Sequence, residues 1–139
     1  MNILVCGGRN FGNIEQGERG TLKEQEYLFI QGTLGQLSMD WPKTPEDKYG
    51  NWLPNVRIIT GGAKGVDSAA IDWAVVNWCE FKEYLADWRK HGKAAGPIRN
   101  QQMLDEEKID LVVAFPGGSG TADMVRRARK AGIPVKEIE

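Results

Sequence analysis

The chain has 139 residues, 41% hydrophobic and 27% charged, the size and balance of one packed domain. Its net charge of −1 argues against a generally basic nucleic-acid binder, and no apolar run approaches the roughly 20 residues of a membrane span. A single histidine, His91, and two cysteines, Cys6 and Cys79, argue against a multi-histidine metal centre and against a Ser-His-Asp triad.

In chain order, Asn2 to Cys6 reads as a first strand and not as a signal peptide, because it lacks a basic start and a cleavage site. Gly7-Gly8-Arg9-Asn10-Phe11-Gly12 follows as a glycine-rich turn. Residues 13–20 read as a polar, mobile loop. Thr21 with Glu24 fits a capping box that opens a helix carrying Tyr27, Ile30, Leu34 and Leu37. Residues 40–54, with three prolines and two tryptophans, read as a long connection, either a flap over a site or an insertion shielding the sheet edge, with the balance toward the second.

Val56 to Thr60 reads as strand two, and Gly61-Gly62-Ala63-Lys64-Gly65 as a second glycine turn at a strand's end. The next helix puts Val66, Ala69, Ala70, Trp73 and Ala74 on one face. Glu80 to Ala86 reads as strand three, and Asp87 to Lys93 as a polar loop with concentrated basic charge. Pro97 reads as the first position of the following helix, which carries Ile98, Arg99, Asn100 and Met103. Leu111 to Phe115 is strand four. Pro116-Gly117-Gly118-Ser119-Gly120 is the third glycine turn, and a helix is expected over Thr121 to Ala131. Arg126, Arg127, Arg129 and Lys130 then fall near its C-terminal end as a solvated, dipole-favoured face. Gly132 and Pro134 close it, and Pro134 to Ile138 is strand five.

Strands alternating with helices predict a small α/β Rossmann-like three-layer sandwich over residues 1–139. Its five-stranded, mainly parallel sheet is expected in order 3-2-1-4-5, with four helices. All three glycine turns then fall on the carboxyl edge, where such sheets bind ligands at the reversal of strand order. Strand, glycine turn and helix N-terminus together form a physical recipe for holding phosphate. None of the turns has the dinucleotide Gly-x-Gly-x-x-Gly spacing or the P-loop spacing, which disfavours an ordinary dehydrogenase or ATPase.

Four ordered motifs then resemble one family. Gly7-Gly8-Arg9 with Phe11, Thr60 through Asp67, Ala86-Asp87-Trp88 with Gly92 through Asn100, and Phe115 through Met124 are similar to the YspA-type branch of the SLOG superfamily. That superfamily includes the Lonely Guy phosphoribohydrolases and the DNA processing protein A. The resemblance implies a Rossmann-like binder of a nucleotide or nucleotide derivative. Pro116 through Met124 is similar to the Lonely Guy Pro-Gly-Gly-x-Gly-Thr-x-x-Glu motif, and Arg99 with Met103 to their helix motif. In that motif the last position is a glutamate that works with the arginine to cleave an N-glycosidic bond. Here it is Met124, and a thioether cannot activate water. Asp123, one residue earlier, is turned by about 100° on a helix. Gly61 through Asp67 resembles the corresponding turn of the DNA processing protein, and Trp88, Lys90, His91 and Lys93 could form a small basic and aromatic patch for single strands.

The candidate phosphate cradle is Pro116, Gly117, Gly118, Ser119, Gly120 and Thr121, with Thr121 either a hydroxyl donor or a helix cap. Gly7, Gly8 and Arg9 form the expected opposite lip. Gly61 and Gly62 are expected to let the chain pass close to the ligand, with Lys64 as a further anion contact. Arg99 and Asn100 are expected to reach phosphate or ribose. Asp67, Asp87 and Asp123 are the carboxylates available for ribose or acid/base work, each also readable as a helix cap. Trp88 is readable as a base-stacking ring or as core.

Three functions are carried forward: a sensor or carrier that binds a nucleotide-derived ligand such as ADP-ribose or a nucleoside phosphate; a hydrolase of an N-glycosidic nucleotide bond, with Asp123, Arg99 and Asp87 as its catalytic set; and a single-stranded nucleic-acid module. No separate cofactor and no metal are expected. A cytoplasmic location with both cysteines reduced is expected, and the alanine-rich helix faces permit a homo-oligomer.

Overall fold

A computed structural model of the chain describes residues 1–14 and 20–139; the central part of the polar loop expected over 13–20 lies outside the described residues. Five strands form one sheet: β1 (Asn2–Cys6), β2 (Arg57–Thr60), β3 (Glu80–Glu83), β4 (Leu111–Ala114) and β5 (Val135–Glu137). All neighbours pair in parallel, in the order β3-β2-β1-β4-β5. Four long helices, α1 (Leu22–Ser38), α2 (Val66–Val76), α4 (Ala95–Glu106) and α5 (Ser119–Lys130), accompany a single-turn helix, α3 (Trp88–His91).

Alternation along the strands builds two cores. Ile3, Val5, Ile58 and Val113 face α1 and α2, where Ile30, Leu34 and the predicted Val66, Ala69, Ala70, Trp73 and Ala74 face are all buried. Leu4, Ile59 and Val112 face the opposite way, against Met103 of α4 and Met124 and Ala128 of α5. Helices on both faces follow from parallel crossovers, and the order reverses between β1 and β4.

Local chemistry sets the helix ends. The Thr21 hydroxyl accepts from the Glu24 N–H at 3.4 Å, as a capping box requires, but Glu24 reaches back to the Gly20 N–H, one residue outside the usual partner. Three expectations are corrected. The basic segment after Asp87 is not a plain loop. Asp87 caps α3 by accepting from the Lys90 N–H at 3.1 Å, and a 3-10 turn over Gly92–Ala94 leads straight into α4. Pro97 is accordingly the third residue of α4, still early enough that its missing N–H costs no intrahelical bond. The last helix begins at Ser119 with Gly118 as its N-cap, two residues before the expected Thr121, so Thr121 is not a cap.

The long connection after α1 is ordered by its own bonds. Lys43 bridges Pro54, the Thr44 N–H donates to the Leu53 carbonyl, and Asp47 closes the tip by accepting from the Tyr49 and Asn51 N–H groups. It leads into the start of β2, whereas the glycine turns follow strand ends, so it lies away from them. Its buried Trp41 packs edge-on against Trp73, with centroids 5.9 Å apart, closing that end of the core. Its Pro54 carbonyl also accepts from the Cys79 thiol, just ahead of the edge strand β3, at 3.5 Å. No helix among the described residues is long and apolar enough to cross a membrane.

Candidate functional site

The three glycine turns meet at the carboxyl edge and are built into one another. The Gly8 N–H donates to the Pro116 carbonyl at 2.9 Å, and the Gly8 carbonyl accepts from the Val66 N–H at 3.2 Å. Gly8 thus joins the turn after β4 to the first residue of α2. A Cβ on Gly7 would lie 2.5 Å from Val66 Cγ2, and one on Gly117 would lie 2.7 Å from the Gly8 nitrogen. Gly65 has φ +77°, which an L side chain rarely adopts, and its Cβ would also meet the Gly8 and Arg9 carbonyls at 2.5 Å. These glycines let three loops nest.

Beside the nest lies a cleft of about 740 Å³. The start of α5 forms one wall through Gly118, Ser119, Gly120 and Thr121. There the glycines behave differently: a Cβ on Gly118 or Gly120 would meet nothing within 4 Å. No side chain caps α5, so its first N–H groups and the positive end of its dipole face this open wall. The start of α4 supplies Gly96, Pro97, Arg99 and Asn100, and the buried Met103 and Met124 give an apolar interior surface. Trp88, 47% exposed, stands at the mouth with the Arg9 guanidinium 4.8 Å from its ring centroid. The same ring lies near Gly96, whose added Cβ would sit 3.4 Å from it. Trp88 is therefore a cleft wall and not core.

The polar side chains form a braced chain. Arg99 donates from Nη1 to the Gly61 carbonyl at 2.7 Å and to the Tyr84 carbonyl at 3.2 Å, tying together the ends of β2 and β3. Its Nε donates to Asn100 Oδ1 at 3.2 Å. Asn100 Nδ2 in turn donates to Asp123 Oδ2 at 3.0 Å and to the Gly120 carbonyl at 3.2 Å. Asp123 also takes Arg126 Nη2 at 2.5 Å and Arg127 Nε at 2.8 Å. Burial pushes the Asp123 carboxyl up, but the bonds from Arg127 and Asn100 and the two arginine charges hold it below the ordinary carboxylate value. It is an ionised, fully engaged carboxylate. Arg126 and Arg127 thus brace Asp123, while the Arg126 side chain stays 71% exposed on the solvated face.

Asp67 behaves in the opposite way. It is buried in the second position of α2, where burial pushes its carboxyl up to about 6 against the pull of the Ala63 and Gly61 N–H groups and of Arg99 and Arg9. Its Oδ2 accepts from the Ala63 N–H at 3.2 Å, so it braces the turn ahead of its helix and does not cap the helix. Cys6 lines the cleft, yet burial and then the Asp67 charge push its thiol up to about 12, which removes the thiolate needed for nucleophilic chemistry. Both cysteines are free thiols.

Of the residues singled out in the sequence, Gly7, Arg9, Gly61, Asp67, Trp88, Arg99, Asn100, Gly118, Ser119, Gly120, Thr121 and Asp123 come together around the cleft. Gly8, Pro116 and Gly117 lie behind it as the nest. Gly62, at φ +67°, is set against Leu85, which an added Cβ would approach to 2.5 Å. Lys64 is exposed outside the lining, and Asp87 is an exposed cap of α3. Met124, 1% exposed, holds the position that the Lonely Guy motif gives to a glutamate. Lys93, Gly96, Pro97 and Arg126 line the cleft without having been assigned to it. The signal for Gly96 and Pro97 was the segment preceding Arg99. The signal for Arg126 was its i,i+3 spacing from Asp123 on the expected helix.

Three comparisons agree with this architecture. The chain is 41% identical over 88 residues to the Gene 61 protein of Mycobacterium phage D29, a match covering 56% of this chain and 67% of that relative. The X-ray structure of TM1055 superposes with a TM-score of 0.60 over 97% of this chain and 72% of that one, at 19% identity, a likeness of fold. Residues 1–91, which include β1 through α3 and two of the three glycine turns, match YAcAr, the YspA, cpYpsA-related SLOG family. The nested turns, the 3-2-1-4-5 sheet and this match place the chain in the YspA, cpYpsA-related SLOG family.

Proposed function

We propose that the cleft binds a nucleotide-derived ligand and that the protein acts as a sensor or carrier of it. The observation that carries this reading is the open wall at Gly118 and Gly120. These two glycines crowd against nothing in the fold, yet they stand at the uncapped N-terminus of a 12-residue helix. A phosphate there would receive N–H donors and a favourable dipole at close range. Arg126 and Lys93 add positive charge along the lining, and the Arg9–Trp88 stack offers an aromatic face at the mouth. Family membership supports a ligand of this class.

Binding is favoured over hydrolysis by the states of Asp123, Asp87 and the glutamate position. Met124 cannot activate water, and Asp123 is committed to Asn100, Arg126 and Arg127. Asp87 lies outside the cleft lining. Thermal stabilisation by AMP, ADP-ribose, NAD and a single-stranded oligonucleotide, with the ligand recovered and chromatographed, tests the reading. A shift of the melting temperature with an unchanged nucleotide is expected, since a ligand that binds only the folded state stabilises it by mass action. Gly118→Asp should abolish the shift while circular dichroism stays native. Absence of a shift with every nucleotide would refute the proposal; released base or ribose phosphate would convert the binder into an enzyme.

A further inference from the structure

We propose that the free edge of β3 is a homodimer interface, in which two copies pair antiparallel about a two-fold axis at Phe81 and extend the sheet to ten strands. The two edges of the sheet differ. β5 is three residues long, follows Pro134 and carries Glu137 in an ion pair with Arg129, features that blunt strand addition. β3 is exposed at all four positions, and Phe81 is a large apolar residue 44% exposed on it. Apolar side chains cluster in sequence around that edge: Val75, Val76 and Trp78 before it and Leu85 after it are all more than half exposed, Trp78 reaching 81%.

Three independent features select the same register. The first is hydrogen-bond direction. The Tyr84 N–H donates inward to the Thr60 carbonyl at 2.9 Å, and alternate residues of a strand point their amides to opposite sides. Glu80, Lys82 and Tyr84 are therefore spent on β2, while Phe81 and Glu83 present N–H and C=O groups outward. Two copies can exchange both bonds at Phe81 as a hydrogen-bonded antiparallel pair. The second is charge. Centring the axis on Phe81 sets Glu80 opposite Lys82 of the second copy, twice over. Slipping the axis to fall between Phe81 and Lys82 would instead set Glu80 opposite Glu83. The third is the division of faces. Lys82 lies 4.7 Å over the Tyr84 ring and 3.5 Å from Glu107, on the α4 face, so Phe81 stands on the other face, where it meets its symmetry mate. The Lys82 side chain is 46% exposed and so open to a further carboxylate.

The test is analytical ultracentrifugation of the full chain with a charge swap. The wild type is expected to dimerise in the micromolar range. Glu80→Lys replaces two attractive cross-strand pairs by two repulsive ones and should weaken the dimer by about tenfold or more, with native circular dichroism. Glu80→Lys combined with Lys82→Glu should restore it. Phe81→Cys should form a symmetric disulfide on mild oxidation, because hydrogen-bonded antiparallel partners hold their Cα atoms about 5.5 Å apart; Lys130→Cys, on α5 beside β4 and β5, should not. A chain that stays monomeric throughout, whether or not an extended peptide then adds to β3, overturns the proposal. So does a dimer indifferent to Glu80→Lys.

Discussion

Arg99 occupies the space that a side chain on Gly61 would need. Its Nη1 donates to the Gly61 carbonyl at 2.7 Å, and an added Cβ would fall within 2.6 Å of its Cζ. Gly61 is glycine because of a protein side chain, and the guanidinium it admits fastens β2 to β3 beside the cleft. The glycines of this rim thus fall into two kinds, one demanded by the fold and one left open.

The two kinds should respond oppositely to alanine. Gly61→Ala expels Arg99 from its carbonyls and should cost about 1–3 kcal/mol, as overpacking of a well-filled site does. Gly120→Ala enters empty space in the first turn of α5 and should stabilise the chain by about 0.5–1 kcal/mol while weakening nucleotide binding. Urea unfolding of both variants, read beside the ligand-induced melting shift, separates them. Equal destabilisation by the two changes would contradict the distinction.

Asp67 should leave a signature in the pH dependence of stability. Its folded value, about 6, lies above the ordinary 3.8 because burial disfavours the anion. The folded chain therefore holds this proton more tightly than the unfolded chain. The resulting stability is fully present below about pH 4 and is lost as pH rises through 6. Relative to Asp67→Asn, the wild type should lose about 2 kcal/mol between pH 4 and pH 8, at 1.36 kcal/mol per unit. Denaturant titrations of both proteins at the two pH values measure it, and a pH-independent difference would place the carboxylate in a wetter setting than the cleft wall.

Asp123 should show the opposite sign. Its carboxyl is held low by Arg127, Asn100 and Arg126 in spite of burial, so its contribution is present above the ordinary carboxylate value and disappears as pH falls through the depressed one. Asp123→Asn should cost about 1–3 kcal/mol at pH 7, the range for removing a charged partner from a bonded, largely buried group, and the gap should close under acid. If Asp123→Asn retained full stability at pH 7, the Asn100–Asp123–Arg127 bracing would be dispensable.

The sheet order was legible because three short apolar runs and the alternating segments at Glu80 and Pro134 fall between helical segments, and parallel crossovers admit few arrangements. Both helix faces built from periodic positions, Val66 through Ala74 on α2 and Ile30 with Leu34 on α1, were legible for the same reason. The glycine turns announced the carboxyl edge. What they could not announce was their occupant. Gly61 and Gly118 look alike in sequence, and only the return of Arg99 from α4, 38 residues away, tells them apart. Likewise Asp87 is readable as either a ribose ligand or a cap until the Lys90 N–H turns onto it.

The nesting of Gly7, Gly8, Gly65 and Gly117 has a further consequence for how this site can diverge. Those positions are fixed by contacts among the loops themselves, so descendants with quite different ligands would have to keep them. Gly118, Gly120 and Lys93 bear no such obligation. Specificity can drift at the second set without disturbing the first. A shared glycine pattern among such chains therefore tracks common carpentry, and the identity of the guest is written in the few residues around it.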